Sequence, residues 1–269
     1  MKRIIWYSLI VISAGGIILL SAGFIKAMKV TYHANTAADE NRVNTGDAST
    51  PAPAGYKNAD SIKITIMGDS IAKGTGDGTG KGLAGYIRYY FGNLTSNAIS
   101  IEDIGINGLR SAGLLDQLRS GRPAPLISDS DYIVISIGGN DAREILRAKG
   151  IYRDEEFNDI LDSYAANLKE CLKIIRKDNL SCIIVLLEIY NPYQDEDPED
   201  NGLLDAWNYR TEQLLENDRR AIGVPTDVLF KFNIKRFIAP DGLHPNSAGY
   251  RAISQMISKA LESFLVKDK

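Results

Sequence analysis

The sequence predicts an α/β protein in which a five-stranded parallel sheet carries helices on both faces. From residue 61 onward, signals for strands alternate with signals for helices. The helical segment 156–178 repeats its apolar residues at the period of an amphipathic helix. The chain is 44% hydrophobic and 24% charged, the composition of a globular protein with one large core. We therefore expect one folded domain of roughly 205 residues, spanning 61–269.

The expected elements follow one another in strict alternation. The first strand, Ile62 to Met67, alternates apolar and polar residues and stops at Gly68-Asp69-Ser70. Such a strand delivers a side chain to the carboxyl edge of a sheet, where open α/β sheets bind ligands. The strands are expected at 62–67, 99–104, 131–137, 182–189 and, from a weaker signal, 222–228; the helices at 81–96, 110–119, 156–178, 203–220 and 247–265.

Residues 1–30 have the layout of a membrane-targeting segment. An uncharged run of 22 residues, Ile4 to Ile25, lies between basic residues and is long enough to span a hydrocarbon core of about 30 Å. Signal peptides have shorter apolar regions of about 7–15 residues, which favours an uncleaved single-pass signal anchor. Cleavage near Ser21-Ala22-Gly23 is the alternative and would give a secreted protein. Basic residues flank both ends of this run, and the positive-inside rule slightly favours a cytoplasmic amino terminus, which would place the folded domain outside the cell.

Residues 31–60 are rich in Ala, Asn, Thr, Asp, Gly and Pro and show no apolar periodicity. We expect a flexible linker that holds the folded domain off the membrane, with His33 in it and without a role. Beyond residue 30 the chain has 27 basic and 34 acidic residues, a formal charge of −7. This acidic body excludes nucleic acid as the expected partner, because phosphate binding needs clustered Lys and Arg. The sequence does not indicate an oligomeric state.

Two further features are interpreted as structural. Cys171 and Cys182 are too few for a disulfide framework, and buried free thiols are expected. The acidic stretch 194–200 is expected to be a solvated turn. Calcium binding is its alternative, but the stretch lacks the alternating ligands and glycine of an EF-hand.

Polar loops rich in Gly, Asn, Asp and His follow or precede several of the expected elements. These loops are 103–108 after the second strand, 138–141 after the third, and 241–246 before the last helix. In a parallel sheet they open on the same edge as Ser70, and their convergence is typical of an active site in this architecture.

The residue types in these loops fit nucleophilic catalysis. Ser70 needs a base to take its proton, and His244 is the sole histidine of the expected domain. Asp241 precedes His244 by three residues, so a tight turn can bring its carboxylate to the imidazole. The donors for an oxyanion are the backbone N–H of Ser70 at a helix start, the backbone N–H of Gly108 and the side-chain amide of Asn140. Each stretch alone is also ordinary turn or capping chemistry, and their occurrence together favours catalysis.

These residues resemble the SGNH, or GDSL-type, hydrolase family. Ser70 in Gly68-Asp69-Ser70, Gly108 in 105–108 and Asn140 in 138–141 match its first three blocks, and Asp241 with His244 matches the last. Ile71 replaces the usual leucine after the serine, and Gly105 is an alternative donor to Gly108. The stretches 74–80 and 189–192 also look like the membrane-tethered lipase/acylhydrolase branch of Gram-positive bacteria.

The resemblance implies a flavodoxin-like three-layer α/β/α sandwich and a serine esterase mechanism without metal or cofactor. It implies a small-molecule, lipid or glycan ester as substrate. A lipid acylhydrolase and an O-acetyl esterase acting on cell-wall or extracellular glycans both remain open. The rivals from other classes are a non-catalytic binding protein of the same fold and a flavodoxin-like nucleotide binder, which would need a phosphate-binding loop after the first strand.

Overall fold

The computed structural model of the protein describes residues 61–147, 154–193 and 201–265. Five parallel strands form one sheet in the order β2-β1-β3-β4-β5. The strands are β1 (Ser61–Gly68), β2 (Ala98–Asp103), β3 (Tyr132–Ser136), β4 (Ile183–Leu187) and β5 (Ala221–Val224). The five-stranded parallel sheet predicted from the sequence is confirmed.

Helices occupy the connections between the strands and follow the last one. The helix from Asp154 to Asp178 and the final helix begin and end within two residues of the predicted bounds. In chain order they are α1 (Gly82–Gly92), α2 (Ser111–Arg119), α3 (Ala124–Asp129), α4 (Gly139–Arg147), α5 (Asp154–Asp178), α6 (Asn201–Leu215), α7 (Thr226–Lys231), α8 (Ile234–Phe237) and α9 (Ser247–Leu265).

The sheet separates two apolar cores because alternate residues of a strand point to opposite faces. In β3, Ile133 and Ile135 pack into one core, and Val134 packs into the other. All five residues of β3 and of β4 are buried, as expected for central strands covered on both faces. The helices α2, α5 and α6 supply residues to the first core, while α1 and α9 supply the second.

The strand order places a switch point between β1 and β3. The chain leaves β1 toward β2 on one side and later returns to β3 on the other. In open α/β sheets the crevice outside the carboxyl ends at such a point is where ligands bind. Ser70 follows β1 and Asn140 follows β3, so both lie at this crevice.

The structure differs from the predicted elements at several places. The fifth strand was expected over 222–228, but it ends at Val224, and Thr226–Lys231 is helical. Pro225 lies at this boundary, and a proline has no N–H to continue a strand ladder. The short helices α3, α4, α7 and α8 were not predicted. Helices α3, α7 and α8 have only four to six residues, too few to show helical periodicity, and α4 begins inside the loop expected over 138–141.

Several predictions fall on other parts of the chain. The signal anchor over 1–30, the linker over 31–60 with His33, and the acidic stretch 194–200 lie outside the described residues. Within the described ranges, no helix has the length and apolar character needed to cross a membrane. Cys171 and Cys182 are buried and free, as expected.

Gly68 is the position at which the fold tolerates a side chain least. It has a φ of 121°, and a Cβ atom there would lie 1.9 Å from the Ser136 carbonyl oxygen of β3. We expect Gly68→Ala to lower the free energy of unfolding by about 3 kcal/mol or more, since both strain and a backbone clash oppose it. Urea unfolding of the purified protein measures this.

Gly92→Ala is the matched control, because Gly92 ends helix α1 and a Cβ atom there meets nothing within 4 Å. Alanine favours a helix over glycine by up to about 1 kcal/mol, so this variant should be as stable as the wild type or slightly more stable. Equal stability of the two variants would contradict the close approach of β1 and β3.

Candidate active site

Ser70 lies on a tight turn that is fixed to the neighbouring strand β3. The backbone N–H of Asp69 donates to the Ser136 carbonyl at 2.8 Å. The Asp69 carboxylate accepts hydrogen bonds from the Ile71 N–H and from the Ser136 hydroxyl, each at 2.9 Å. Ser70 was expected at a helix start, but residues 70–76 form successive turns, with the Thr75 N–H donating to the Ser70 carbonyl at 3.0 Å.

The structure brings Ser70, His244 and Asp241 into one hydrogen-bonded chain. The His244 Nε2 atom lies 2.9 Å from the Ser70 Oγ atom, and its Nδ1 atom lies 2.7 Å from the Asp241 Oδ2 atom. Partial burial opposes ionisation of Asp241, but hydrogen bonds from the side chain and backbone of His244 outweigh it and keep the pKa of Asp241 below its usual range. The ionised carboxylate is therefore available to hold the imidazole, as in a Ser-His-Asp triad.

The loop that carries His244 is held from two sides. The Ala239 N–H donates to the His244 carbonyl at 2.8 Å, and the buried Tyr190 hydroxyl donates to the Leu243 carbonyl at 2.8 Å. Asn246 accepts the N–H groups of Ala248 and Gly249 at the start of α9. This is the side-chain cap expected at a helix amino terminus, and it fixes where the loop ends.

The glycine-rich stretch 74–80 packs against the same loop. Gly76 has a φ of 93°, and a Cβ atom there would lie 2.6 Å from the His244 Cβ atom. Asp77 accepts hydrogen bonds from the Ser247 hydroxyl and from the N–H groups of Lys81 and Gly82. Although partial burial acts in the opposite direction, hydrogen bonds from Ser247, Thr79 and Gly82 lower the pKa of Asp77 to about 2. Asp77 thus joins the start of α9 to the start of α1.

Two of the three donors predicted for an oxyanion, Gly108 and Asn140, lie in loops that are hydrogen-bonded to each other. The Gly105 N–H donates to the Asp103 carboxylate at 2.8 Å, so that group is already engaged, which favours Gly108 as the donor. Gly108 has a φ of 76°, a conformation that suits glycine. The Asn140 amide nitrogen donates to the Leu109 carbonyl at 3.0 Å and so ties the third polar loop to the second.

Next to Ser70 and His244 lies a small cavity of about 50 Å³. Asn140 lines it, together with the charged side chains of Arg143 and Glu188. Partial burial, followed by repulsion from Asp227, raises the pKa of Glu188 to about 7. The apolar part of the wall consists of Ile71, Leu146, Ile189, Tyr190, Pro192, Tyr193 and Leu243.

Three residues of this site were not predicted from the sequence: Arg143, Glu188 and Tyr190. Arg143 follows Asn140 by three residues, which is a helical spacing, but helix α4 itself was not predicted. Glu188 comes directly after β4, at the same edge of the sheet as Ser70, and this position is the signal that could have identified it.

Within the described ranges, no group of three or more His, Cys, Asp or Glu side chains is arranged so that it could hold a metal ion.

The fold and the site define a parallel α/β protein with a Ser-His-Asp hydrogen-bonded chain at its switch point. Comparison with known families agrees, because the profile of the GDSL-like lipase/acylhydrolase family matches residues 66–252. The chain belongs to this family, and it is an ester hydrolase of the GDSL type.

The chain shares 20–30% sequence identity with the following individual proteins. The uncharacterized protein YpmR of Bacillus subtilis is 30% identical over 213 residues, which cover 77% of this chain and 84% of YpmR. The crystal structure of the lipase Lip_vut3 from a goat rumen metagenome has 24% identity and a TM-score of 0.65, and covers 74% of this chain and 97% of that one. The acetylxylan esterase Axe2 of Geobacillus stearothermophilus has 20% identity and a TM-score of 0.59, and covers 77% and 97%. Both structures share the fold.

Asp69 gives a prediction for stability. It is 3% exposed, and burial raises its pKa to about 6 from 3.8. The folded state therefore keeps this proton to higher pH than the unfolded chain, so its contribution to the free energy of unfolding falls as pH rises from about 4 to about 6. Asp69→Asn removes this effect. From about pH 4 to about pH 7, the variant should gain up to about 3 kcal/mol relative to the wild type.

Urea unfolding at both pH values measures this difference. Asp77→Asn is the control, because the pKa of Asp77 is lowered to about 2 and its titration lies below this pH range. The stabilisation by Asp77 is nearly complete above about pH 4, so the difference in stability between this variant and the wild type should stay nearly constant from about pH 4 to about pH 7. A pH-independent difference between wild type and Asp69→Asn would contradict the buried carboxyl.

Proposed function

We propose that the protein hydrolyses carboxylic esters through an acyl-serine intermediate formed on Ser70. The observation that supports this most directly is the chain of hydrogen bonds from Ser70 through His244 to Asp241. A serine is a weak nucleophile unless a neighbouring base takes its proton, and this geometry supplies that base and a carboxylate to orient it.

In this mechanism the Ser70 Oγ atom attacks the acyl carbonyl while its proton passes to His244 Nε2. The Asp241 carboxylate holds the proton on Nδ1 and stabilises the imidazolium that forms. The tetrahedral oxyanion accepts hydrogen bonds from the Ser70 N–H, the Gly108 N–H and the Asn140 amide. His244 then protonates the leaving alcohol, and water, deprotonated by His244, releases the acid and restores Ser70.

For the substrate, we propose an ester with a short acyl group such as acetyl. The cavity beside Ser70 measures about 50 Å³. Since a cavity needs about 10–15 Å³ to hold one water molecule, the space beside Ser70 matches a group of a few non-hydrogen atoms, which favours a short acyl group. Among the structures that share the fold, Axe2 is an acetylxylan esterase and so agrees with a short acyl group. Lip_vut3 is a lipase and so agrees with the alternative, longer lipid esters.

We further propose that the amino-terminal segment anchors the protein in the cell membrane, with the folded domain outside. The support is the uncharged run of 22 residues from Ile4 to Ile25 and the polar stretch 31–60 that follows it. An anchored domain would meet esters of cell-wall glycans as well as lipids. Membrane fractionation, followed by protease treatment of intact cells, tests both the anchoring and the orientation.

The mechanism predicts distinct effects at two positions. Ser70→Ala should abolish hydrolysis of p-nitrophenyl acetate because it removes the nucleophile. Asn140→Ala should reduce turnover on the order of 10²–10³-fold, the loss expected for one oxyanion donor. The full-length protein is measured in detergent beside Ser254→Ala, a buried serine on α9 outside the cavity lining, which should keep its activity. Full esterase activity of Ser70→Ala would contradict the mechanism.

The size of the cavity predicts a preference among acyl chains. In a series of p-nitrophenyl esters from acetate to palmitate, kcat/KM should be highest for the shortest esters. Leu146→Ala widens the cavity and should shift the optimum to longer chains. Leu118→Ala is the matched control, because Leu118 is 4% exposed and Leu146 is 5% exposed, but Leu118 does not line the cavity.

Both variants should lose about 2–5 kcal/mol of stability, as usual for a buried leucine, so assays are run well below their unfolding temperatures. A rise of kcat/KM with chain length in the wild type would favour the lipid acylhydrolase instead.

A further inference from the structure

Arg143 makes a direct contact with the predicted oxyanion donor. It lies one turn after Asn140 on helix α4, and its Nη2 atom donates to the Asn140 Oδ1 atom at 2.8 Å. Asn140 is 6% exposed, so this contact is shielded from bulk water and is correspondingly strong. Arg143 itself lines the cavity that holds Ser70.

The contact determines which way the Asn140 amide faces. A guanidinium group has donors and no acceptor, so only the amide oxygen can face Arg143. The amide nitrogen then faces the Leu109 carbonyl, to which it donates at 3.0 Å. If the amide were reversed, its NH₂ group would face the NH₂ group of Arg143, and its oxygen would face the Leu109 carbonyl oxygen. Both neighbours therefore select the same orientation.

This orientation leaves one amide hydrogen for the substrate. The Asn140 NH₂ group has two hydrogens, and Leu109 accepts one of them. The cationic partner on the amide oxygen also polarises the amide, which strengthens the remaining N–H as a donor. A preoriented, polarised donor costs no reorganisation when the oxyanion forms.

Not all of the polar contacts of Arg143 favour the stability of the folded protein. Within the described part of the chain, its Nε atom is buried without a hydrogen-bond partner. A buried donor that lacks a partner costs free energy, so the position of the side chain needs another explanation. The charged or titratable side chains that share the cavity wall with it are Asp69, Glu188, Tyr190, Tyr193 and His244.

We infer that Arg143 is a positioning residue for the oxyanion hole and acts through the amide of Asn140. The inference rests on the proposed function, in which Asn140 donates to the oxyanion. It assigns to Arg143 no contact with the reacting atoms. Its effect on the rate must therefore disappear when the Asn140 amide is absent.

A double-mutant cycle tests this requirement. The readout is the second-order rate of labelling of Ser70 by a fluorophosphonate probe, because phosphonylation creates an oxygen anion at the same place and needs no knowledge of the natural substrate. The four proteins are wild type, Arg143→Gln, Asn140→Ala and the double variant, each full-length in detergent. Arg143→Gln should slow labelling about 10- to 100-fold in the wild-type background. In the Asn140→Ala background it should slow labelling less than about threefold.

Two further variants separate positioning from a general loss of structure. Arg143→Lys keeps a cationic donor and should recover part of the rate. Arg210→Gln removes an exposed arginine that pairs with Asp162 on α5, and it should label like the wild type. With p-nitrophenyl acetate, Arg143→Gln should lower kcat while KM stays nearly constant, since the lost interaction exists only in the transition state.

An equal loss in both backgrounds would overturn the inference, because Arg143 would then act independently of Asn140. An unchanged rate in Arg143→Gln would overturn it as well. Neither result touches the role of Ser70. Failure of the proposed function appears separately, as a wild type that the probe labels no faster than Ser70→Ala.

Discussion

The site depends first on the contact between the last residue of β1 and the last residue of β3. At Gly68 the two backbones lie so close that a Cβ atom would meet the Ser136 carbonyl at 1.9 Å. The same Ser136 then bonds to Asp69 through its carbonyl and its hydroxyl. The turn that carries Ser70 therefore starts from two strands that are fixed to each other. The Ser70 side chain is already positioned before substrate binds, so little conformational entropy is lost at that step.

The second half of the site comes from the far end of the chain. His244 is 174 residues from Ser70, and the loop before α9 brings it there. Tyr190, which stacks on Phe230 with ring centroids 3.9 Å apart, holds this loop from the β4 side. Asp77 holds the start of α9 from the β1 side. The two halves meet because both supports lie at the carboxyl edge of the same sheet.

The sequence was sufficient for the parts that depend on local pattern. The alternation of strand and helix signals predicts a parallel sheet, and a parallel sheet gathers Ser70, Asn140 and His244 at one edge. It was insufficient where several distant elements act together. The cavity wall combines Leu146 of α4 with Tyr190 and Leu243, and its volume depends on how these side chains pack. Arg143 was missed because helix α4 begins inside the stretch 138–141 that was interpreted as a polar loop, so no helix was predicted that would place Arg143 beside Asn140.

The charges around Ser70 explain why the donors must be close and oriented. The pKa values of Asp69 and Glu188, about 6 and about 7, leave negative charge beside the cavity at neutral pH. An oxyanion formed there is repelled by both carboxylates, and in a partly buried site that repulsion is weakly screened. Neutral donors such as Asn140 offset it only at hydrogen-bond distance. The Arg143 guanidinium, which donates to the Asn140 amide oxygen and lines the cavity, adds positive charge on the oxyanion side.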